Sequence, residues 1–359
     1  MIYLDYQATT PLAPEARAAM LPWLAGPDSA GFANPHSAHR PGRAAAAAIE
    51  VARAQVAGLF PAGGTIVFTS GATEAINLAI RGTGARRIAV SAIEHAAVLD
   101  TAQAAAAECR VLAVDRDGLL DPAGAGLENR DLVAVMQVNN EIGTIQPVAD
   151  LAERAHEAGA LFLCDAVQGA GKLSPPAGAD LIAVSAHKLH GPKGIGALWL
   201  RDGLTVAPQL TGGGQEGGVR SGTLSPALCA GFGAAAALAL ARRDEDRAHV
   251  ERLWSIAREG LGRWTINGSP ERRWHGNFNV RLDGLDVARF MSDLRQLAFS
   301  AGSACASGSG RTSHVLRALG LSEAQARSSI RLGFGRYTRE EEFREAIAAL
   351  DGAAAAQGV

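Results

Sequence analysis

Short apolar runs typical of buried strands alternate with alanine-rich segments of helical length up to about residue 245. The apolar runs include residues 65–69, 87–90 and 132–135. The alanine runs are residues 44–48, 104–107 and 234–237. Alanine is the strongest helix former, so we interpret these runs as close-packing helices and not as disordered linkers. Strands that alternate with helices predict an α/β fold, with a mostly parallel sheet between two layers of helices.

The pattern changes after residue 245, where a smaller α+β domain is predicted. A charged helix over 242–260 precedes a strand-like stretch at 277–282, and another helix is expected from Val287. A final pair of helices around a short strand follows. We find no internal repeat and no linker rich in Pro or Ser.

Composition excludes several classes of protein. The 359 residues are 48% hydrophobic with a formal net charge of -2, which indicates a globular chain of one or two domains. This balance offers no broad basic face, so direct nucleic-acid binding is disfavoured. No apolar stretch is long enough to span a bilayer and the N-terminus lacks the blocks of a signal peptide, so we expect no membrane association and a cytoplasmic location. The cysteines are widely spaced without a CxxC pair, which argues against disulfides and a metal site: Cys109, Cys164, Cys229 and Cys305.

A lysine and an aspartate follow two of the predicted strands. Lys188 ends an apolar run that starts at Leu181, and Asp165 lies 23 residues upstream, behind another apolar run at 161–164. A pyridoxal phosphate site needs an amine to hold the aldehyde and a carboxylate to keep the pyridine nitrogen protonated. The pair therefore predicts carbanion chemistry on an amino acid.

The segment Phe68–Glu74 predicts a place for the cofactor's phosphate. It gives a strand, a glycine turn and a helix start in succession, and amides at a helix N-terminus bind phosphate. Simple helix capping would explain the same residues. The glycine clusters at 191–194 and 212–214 fit no dinucleotide or Walker pattern, so we interpret them as turns near the site.

Seven motifs in the same order carry a family resemblance. They are residues 4–10, 69–74, 94–95, 138–143, 185–188, 220–223 and 303–305. The chain resembles a cysteine desulfurase of the class V aminotransferase family, from residue 3 to about 339. The resemblance implies the fold-type I pyridoxal phosphate architecture, with a large domain at 15–245 and a small domain formed by 1–14 and 246–359. It also implies a homodimer whose active sites lie near the subunit boundary.

The resemblance assigns cofactor roles to individual residues. Lys188 would bond the aldehyde, Asp165 would pair with the ring nitrogen, and Gln168 would hydrogen-bond the phenolic oxygen. His95 would stack on the ring and move protons, and Asn140 would lie beside the phenolic edge and contribute to substrate binding. The phosphate contacts would come from Ala72, Thr73, Ser185, His187 and, from the other subunit, Thr223.

Residues 299–308 form a small, polar segment that carries a thiol, which such a sequence cannot bury in apolar packing. By resemblance, Cys305 would be the nucleophile that takes the sulfur of L-cysteine as a persulfide. Arg331 would bind the substrate carboxylate through a bidentate pair. The sulfur would pass to an acceptor protein, such as an iron–sulfur scaffold or a thiolation enzyme for transfer RNA or a thio-cofactor.

Two other functions stay open at this point. One is a related pyridoxal phosphate enzyme, such as a selenocysteine lyase or an aminotransferase. The other is a non-catalytic docking subunit for sulfur-transfer partners. The Cys305 segment favours the desulfurase over a lyase, and the set of Lys188, Asp165, His95 and Arg331 disfavours a docking role.

Overall fold

The computed structural model describes residues 1–302 and 312–359. The strands are β1 (Ile2–Tyr3), β2 (Gly64–Thr69), β3 (Arg87–Ser91), β4 (Glu108–Leu112), β5 (Leu132–Met136), β6 (Leu161–Asp165), β7 (Leu181–Ser185), β8 (Gly196–Arg201), β9 (Thr265–Ile266), β10 (Asn277–Arg281), β11 (Leu297–Ala298), β12 (Ser300–Ala301) and β13 (Ser329–Gly333). The α-helices are α1 (Pro14–Met20), α2 (Arg40–Ala57), α3 (Ala72–Gly82), α4 (Ala96–Ala105), α5 (Val148–Glu157), α6 (Pro226–Ala241), α7 (Arg243–Gly260), α8 (Val287–Asp293), α9 (His314–Ala318), α10 (Glu323–Arg327) and α11 (Glu340–Ala356). Short 3₁₀ turns occur at Leu21–Trp23, Ala186–Lys188 and Glu216–Gly218.

The central sheet has seven strands in the order β2-β8-β7-β6-β5-β3-β4. Strand β8 runs antiparallel to its neighbours β2 and β7. All other neighbouring strands in this sheet are parallel. The predicted α/β fold with a mostly parallel sheet is therefore confirmed.

Helices cover both faces of this sheet, as the sequence predicts. Successive side chains of β6 point to opposite faces, which is the period of a strand. Phe162 and Cys164 pack in a core with residues of α2, α5 and α6, whereas Leu163 packs in a core with residues of α3 and α4. Burial on both faces explains why the strand sequences are continuously apolar.

The alanine runs at 44–48 and 234–237 lie within α2 and α6, as expected. The run at 104–107 differs, because α4 ends at Ala105 and Ala106 is already extended. The amide of Ala107 donates to the carbonyl of Arg86 at 2.8 Å, so pairing with the neighbouring chain ends the helix there. None of the helices in the described ranges combines the length and apolar content needed to cross a membrane.

A second, smaller sheet has the strand order β12-β13-β10-β9 and is antiparallel. Its core includes residues of α7, α8 and α11 together with Leu4 from the N-terminal segment. Strand β1 pairs with β11 in a separate two-stranded sheet, and Asp5 forms a bridge with Gly333 of β13, so the N-terminal segment lies against the small sheet. The boundary expected between residues 245 and 246 falls inside α7, and the division into domains stays a prediction.

A buried histidine makes the stability of the fold depend on pH. Burial lowers the pKa of His190 to about 4, and the nearby positive charges of Arg336 and Lys172 lower it further. The hydrogen bond with Pro11 O and the charge of Asp246 raise this pKa and partly offset the shift. The ring nitrogen Nδ1 of His190 lies 2.9 Å from the carbonyl oxygen of Pro11. Because the unfolded chain binds this proton more readily than the folded chain, stability rises with pH between about 4 and 6.5.

Replacing His190 with glutamine, whose amide can still donate to Pro11, is expected to flatten that dependence. Thermal unfolding of both proteins across this range measures the effect. As the pH is lowered, the free energy of unfolding of the wild type should fall more steeply than that of the variant. The difference between the two slopes should reach at most about 1.4 kcal/mol per pH unit. Parallel pH profiles would contradict the assignment to His190.

Candidate active site

A cavity of about 490 Å³ lies at the carboxyl ends of the central strands, where Asp165 ends β6 and Ser185 ends β7. Ligands of open α/β sheets bind at this edge. Ten of the predicted site residues line it, namely Ala72, Thr73, His95, Asn140, Asp165, Gln168, Ser185, His187, Lys188 and Arg331. The structure thus brings together residues from six separate segments of the chain.

Lys188 follows β7 in the turn Ala186–Lys188 and reaches back toward the N-terminal segment. Its Nζ donates to the carbonyl of Ala8 at 2.9 Å and also to the carbonyl of Gln7. Backbone carbonyls hold the amine at the cavity wall in this structure. A lysine that bonds an aldehyde in the cavity must leave these acceptors.

Asp165 is a buried carboxylate, with a side chain that opens only on the cavity. Its Oδ1 accepts a hydrogen bond from the amide of Val167 at 2.9 Å. Burial raises the pKa of Asp165, and the charges of His95 and Lys188 oppose this shift. A cation in the cavity would stabilise the ionised carboxylate, which is the role that a protonated pyridine nitrogen plays.

Changing Asp165 to asparagine should therefore keep the cofactor bound but lower turnover by about 10²-fold, because the neutral amide no longer stabilises the charged ring nitrogen. The rate per bound cofactor is the quantity to measure. Asp180→Asn is the matched control, since Asp180 is as deeply buried but binds Arg201 and the amide of Phe162 outside the cavity. Equal rates per cofactor for the wild type and D165N would refute the role.

Gln168 lies one helical turn beyond Asp165 and is buried. Its Nε2 donates to the carbonyl of Gln7 at 3.0 Å, while its Oε1 is buried without a hydrogen-bond partner among the described residues. Buried polar atoms of this kind ordinarily have a partner, so the site has unused hydrogen-bonding capacity that a polar ligand can satisfy.

The turn before α3 has the features of a phosphate site. The N-cap residue, Gly71, has no side chain to cap the helix, so the start of α3 has no side-chain cap, and its first residues, Ala72 and Thr73, line the cavity. The backbone amides of these residues and the helix dipole favour an anion. A Cβ on Gly196 would lie 2.8 Å from the backbone of Gly71, so only glycine allows β8 to approach this turn.

An ion pair ties a distant loop to the same turn. Arg220 Nε donates to Glu74 Oε1 at 2.7 Å, and Glu74 Oε2 accepts from the amide of Ser70 at 2.7 Å. These hydrogen bonds and the charge of Arg220 outweigh partial burial and lower the pKa of Glu74. The predicted motif at 220–223 is thereby anchored beside the expected phosphate position.

Two histidines line the cavity in defined states. His95 is the N-cap of α4, where its Nδ1 accepts from the amide of Ala97 at 3.1 Å, so Nε2 carries the proton of the neutral ring. Burial and the nearby charges of Lys188 and Lys193 lower the pKa of His187 to about 4. His187 is therefore neutral at physiological pH and can accept or donate one hydrogen bond.

Glu94, which sequence reasoning did not assign a role, lies fully buried behind His95. Its Oε1 accepts from the amide of Met136 at 2.8 Å, and Oε2 has no partner among the described residues. Burial, together with the nearby charge of Asp165, raises the pKa of Glu94 well above its usual range. Glu94 ties the segment that carries His95 to the end of β5. Its place in the motif at 94–95 was the available signal.

Arg331 in β13 carries a buried guanidinium at the cavity wall, with 2% of its side chain exposed. Nη1 donates to the carbonyl of Asn140 at 3.0 Å and Nη2 donates to Asp5 Oδ1 at 2.7 Å. Nε is buried without a partner in the part of the chain that the structure describes. The guanidinium therefore keeps donors for a carboxylate, which arginine binds well. Sequence reasoning missed Asp5, which is 326 residues away.

Thr223, another of the predicted residues, does not line the cavity. Thr223 is exposed on the loop between β8 and α6. Cys305 lies outside the described residues. The cysteines that the structure describes are Cys109, Cys164 and Cys229, and burial raises the pKa of each thiol.

The cavity fits pyridoxal phosphate by its chemistry. An amine, a buried carboxylate, an unpaired amide oxygen and an uncapped helix start surround one space. Among the described residues, no cluster of three or more His, Cys, Asp or Glu side chains is arranged to hold a metal. A cleft of about 550 Å³ along β2 is somewhat larger, but it is lined by the Arg53–Glu216 ion pair and lacks such a convergent set.

Comparison with known proteins agrees with this chemistry. The model of the aminotransferase class-V family matches residues 2–345. Cysteine desulfurase IscS of Anaeromyxobacter dehalogenans (strain 2CP-C) is 42% identical over 369 residues, which cover 96% of this chain and 90% of that protein. Cysteine desulfurase IscS of Rickettsia africae (strain ESF-5) is 39% identical, over 96% of this chain and 89% of that protein.

Solved structures show the same relationship. The NifS-like protein from Rickettsia africae ESF-5 superposes with a TM-score of 0.88 at 29% identity, over 98% of this chain and 99% of that one. SspA in complex with cysteine gives a TM-score of 0.82 at 33% identity, over 94% of this chain and 100% of that one. Enzymes of this group depend on pyridoxal phosphate, which the cavity residues fit. The chain therefore belongs to the class-V aminotransferase family, among its cysteine desulfurases.

Proposed function

We propose that this enzyme converts L-cysteine to L-alanine and passes the sulfur, as a persulfide on Cys305, to an acceptor protein. The observation that carries the proposal is that Lys188, Asp165 and Arg331 line one cavity, which supplies an amine, a carboxylate and a guanidinium to a single amino acid substrate. The similar SspA has been solved in complex with cysteine, which supports this choice of substrate.

Arg331 binds the α-carboxylate of the substrate. Its Nε has no partner among the described residues, and Nη1 uses one proton on Asn140 O, while Nη2 donates to both Asp5 and Ser300. Asn140 lines the same cavity, and its backbone carbonyl accepts from Arg331 Nη1. The carboxylate would replace no charged partner on binding, which keeps the cost of desolvation low.

Pyridoxal phosphate, when bound, supplies an aldehyde for the substrate amine and a ring that accepts the electron pair left at the α-carbon. Asp165 stabilises the protonated ring nitrogen, and the uncapped start of α3 holds the phosphate. Of the two lysines that line the cavity, Lys188 is half-buried and Lys193 is exposed, so Lys188 Nζ is assigned the removal of the proton from the α-carbon. His95, whose Nε2 carries the proton, exchanges protons with the substrate.

The sulfur step is a nucleophilic displacement on sulfur. The Cys305 thiolate forms an S–S bond with the substrate sulfur, and the C–S bond breaks with its electron pair remaining on carbon. That carbon takes a proton and becomes the methyl group of alanine. One L-cysteine and one thiol thus give one L-alanine and one persulfide, with no outside oxidant.

The acceptor is a protein thiol, on an iron–sulfur scaffold or a thiolation enzyme. The enzyme acts as a cytoplasmic homodimer, in which Thr223 of one subunit reaches the phosphate held by the other. Two observations support that arrangement. Thr223 is exposed, and the Arg220–Glu74 ion pair ties its loop to the turn before α3, where the phosphate is expected. The relatives' activities do not favour a selenocysteine lyase, an aminotransferase or a docking subunit.

Product analysis of the pyridoxal phosphate-loaded enzyme tests the proposal. With L-cysteine and a reductant, alanine and sulfide should form in equal amounts. Pyruvate and ammonia in place of alanine would indicate a β-lyase. A keto acid formed only with an amino acceptor would indicate an aminotransferase, and either result would overturn the proposal.

A further inference from the structure

Arg331 is held by two side chains that do not line the cavity and by one backbone carbonyl. Its Nη2 donates to Asp5 Oδ1 at 2.7 Å and to Ser300 Oγ at 3.3 Å. The Ser300 hydroxyl in turn donates to Asp5 Oδ1 at 2.9 Å. Together with the bond from Nη1 to Asn140 O, these contacts fix the plane of the guanidinium.

Backbone pairing places Asp5 and Ser300 beside the arginine. Ser300 is the register partner of Arg331 in the antiparallel pair of β12 and β13. Asp5 forms a parallel bridge with Gly333, whose amide donates to Leu4 O at 2.7 Å. Ser300 therefore belongs to a strand of the small sheet and Asp5 is bridged to that sheet, so backbone pairing sets the positions of both residues.

Asp5 supplies the negative charge that the buried guanidinium of Arg331 needs. A guanidinium that is 2% exposed needs a counter-charge, because a buried unpaired charge is strongly unfavourable. Asp5 provides it from the side away from the cavity, since Arg331 lines the cavity and Asp5 does not. Asp5 therefore neutralises the guanidinium without using Nε, which is buried and has no partner among the described residues.

We propose that Asp5, supported by Ser300, positions Arg331 so that the site selects substrates with an α-carboxylate. This inference rests on the proposed function, in which Arg331 binds the carboxylate of L-cysteine. Asp5 is a positioning residue, because it acts through the guanidinium and does not touch the substrate. Its removal must weaken binding of carboxylate-bearing ligands while leaving binding of the amine and thiol unchanged.

The test compares L-cysteine with cysteamine, which has the amine and the thiol but no carboxylate. On the cofactor-loaded enzyme, Asp5→Ala should raise KM for L-cysteine about tenfold or more, as expected for loss of a charge-assisted hydrogen bond. Its kcat should change by less than about threefold. The apparent Kd of cysteamine, read from the visible absorbance of the cofactor, should stay within about twofold.

Asp5→Asn separates orientation from charge. The amide oxygen can still accept from Nη2, so this variant should recover most of the wild-type KM. Ser300→Ala removes the hydroxyl with little disturbance of the strand and should raise KM about threefold. This variant keeps the inference testable if Asp5→Ala does not fold.

Asp246→Ala is the matched control. In the Arg336–Asp246 pair the N–O distance is 2.6 Å, and 3% of the arginine side chain and 20% of the aspartate side chain are exposed. In the Arg331–Asp5 pair the N–O distance is 2.7 Å, and the exposed fractions are 2% and 20%. The Arg336–Asp246 pair lies outside the active cavity, so losing it should leave KM for L-cysteine unchanged.

An unchanged KM in Asp5→Ala and Ser300→Ala, or an equal loss of L-cysteine and cysteamine binding, would overturn the inference. If the wild type itself makes no alanine from L-cysteine, the proposed function fails first.

Discussion

Lys188→Ala is expected to reduce alanine formation by about 10³-fold or more and to abolish the visible absorbance that the bound cofactor owes to its bond with the protein. The variant removes both the amine that holds the aldehyde and the base that takes the α-proton. The carbonyls of Gln7 and Ala8 lose the donor that they share in the structure. Absorbance spectra and steady-state rates of the loaded protein measure both effects.

Lys193→Ala is the control for this change, because Lys193 lines the same cavity but is exposed. It should keep the visible absorbance. If Lys188→Ala retained the visible band and Lys193→Ala lost it, the bond to the cofactor would belong to Lys193.

Cys305→Ser should lose persulfide formation entirely while still binding L-cysteine. A serine hydroxyl is not ionised near neutral pH and does not attack sulfur, whereas a thiolate does. Binding should survive because the predicted contacts of the substrate amine and carboxylate come from other residues. Stopped-flow absorbance with L-cysteine shows binding, and the sulfur content of the protein shows the transfer.

Cys109→Ser is the matched control. Cys109 is the described cysteine with partial exposure, and burial raises its pKa, which lowers its thiolate fraction. This variant should take up sulfur as the wild type does. Loss of sulfur uptake in Cys109→Ser with normal uptake in Cys305→Ser would move the nucleophile to Cys109.

Much of the fold follows from local sequence patterns. The apolar runs at 65–69, 87–90 and 132–135 correspond to β2, β3 and β5, because strands buried on both faces must be apolar throughout. The helix expected from residue 242 is observed at Arg243–Gly260. The alanine run at 104–107 was only half helical, since main-chain pairing of Ala107 with Arg86 outweighs the helix propensity of alanine.

The proximity of Asp165 and Lys188 was also predictable from the sequence. Asp165 and Ser185 end strands that are neighbours in the sheet, so sequence order and strand ends were enough to bring Asp165 near Lys188. The partners of Arg331 were not predictable in the same way. Asp5 and Arg331 meet because Asp5 forms a bridge with Gly333 of β13, a long-range pairing that no local pattern encodes. The roles of the site residues stay predictions.

The central claim is that sulfur moves from L-cysteine to Cys305. The most direct measurement is the intact mass of the cofactor-loaded protein after incubation with L-cysteine without reductant, followed by mapping of the peptide that contains Cys305. The account predicts a gain of one or more sulfur atoms on that peptide. A protein that binds its cofactor and consumes L-cysteine but gains no sulfur there would contradict it.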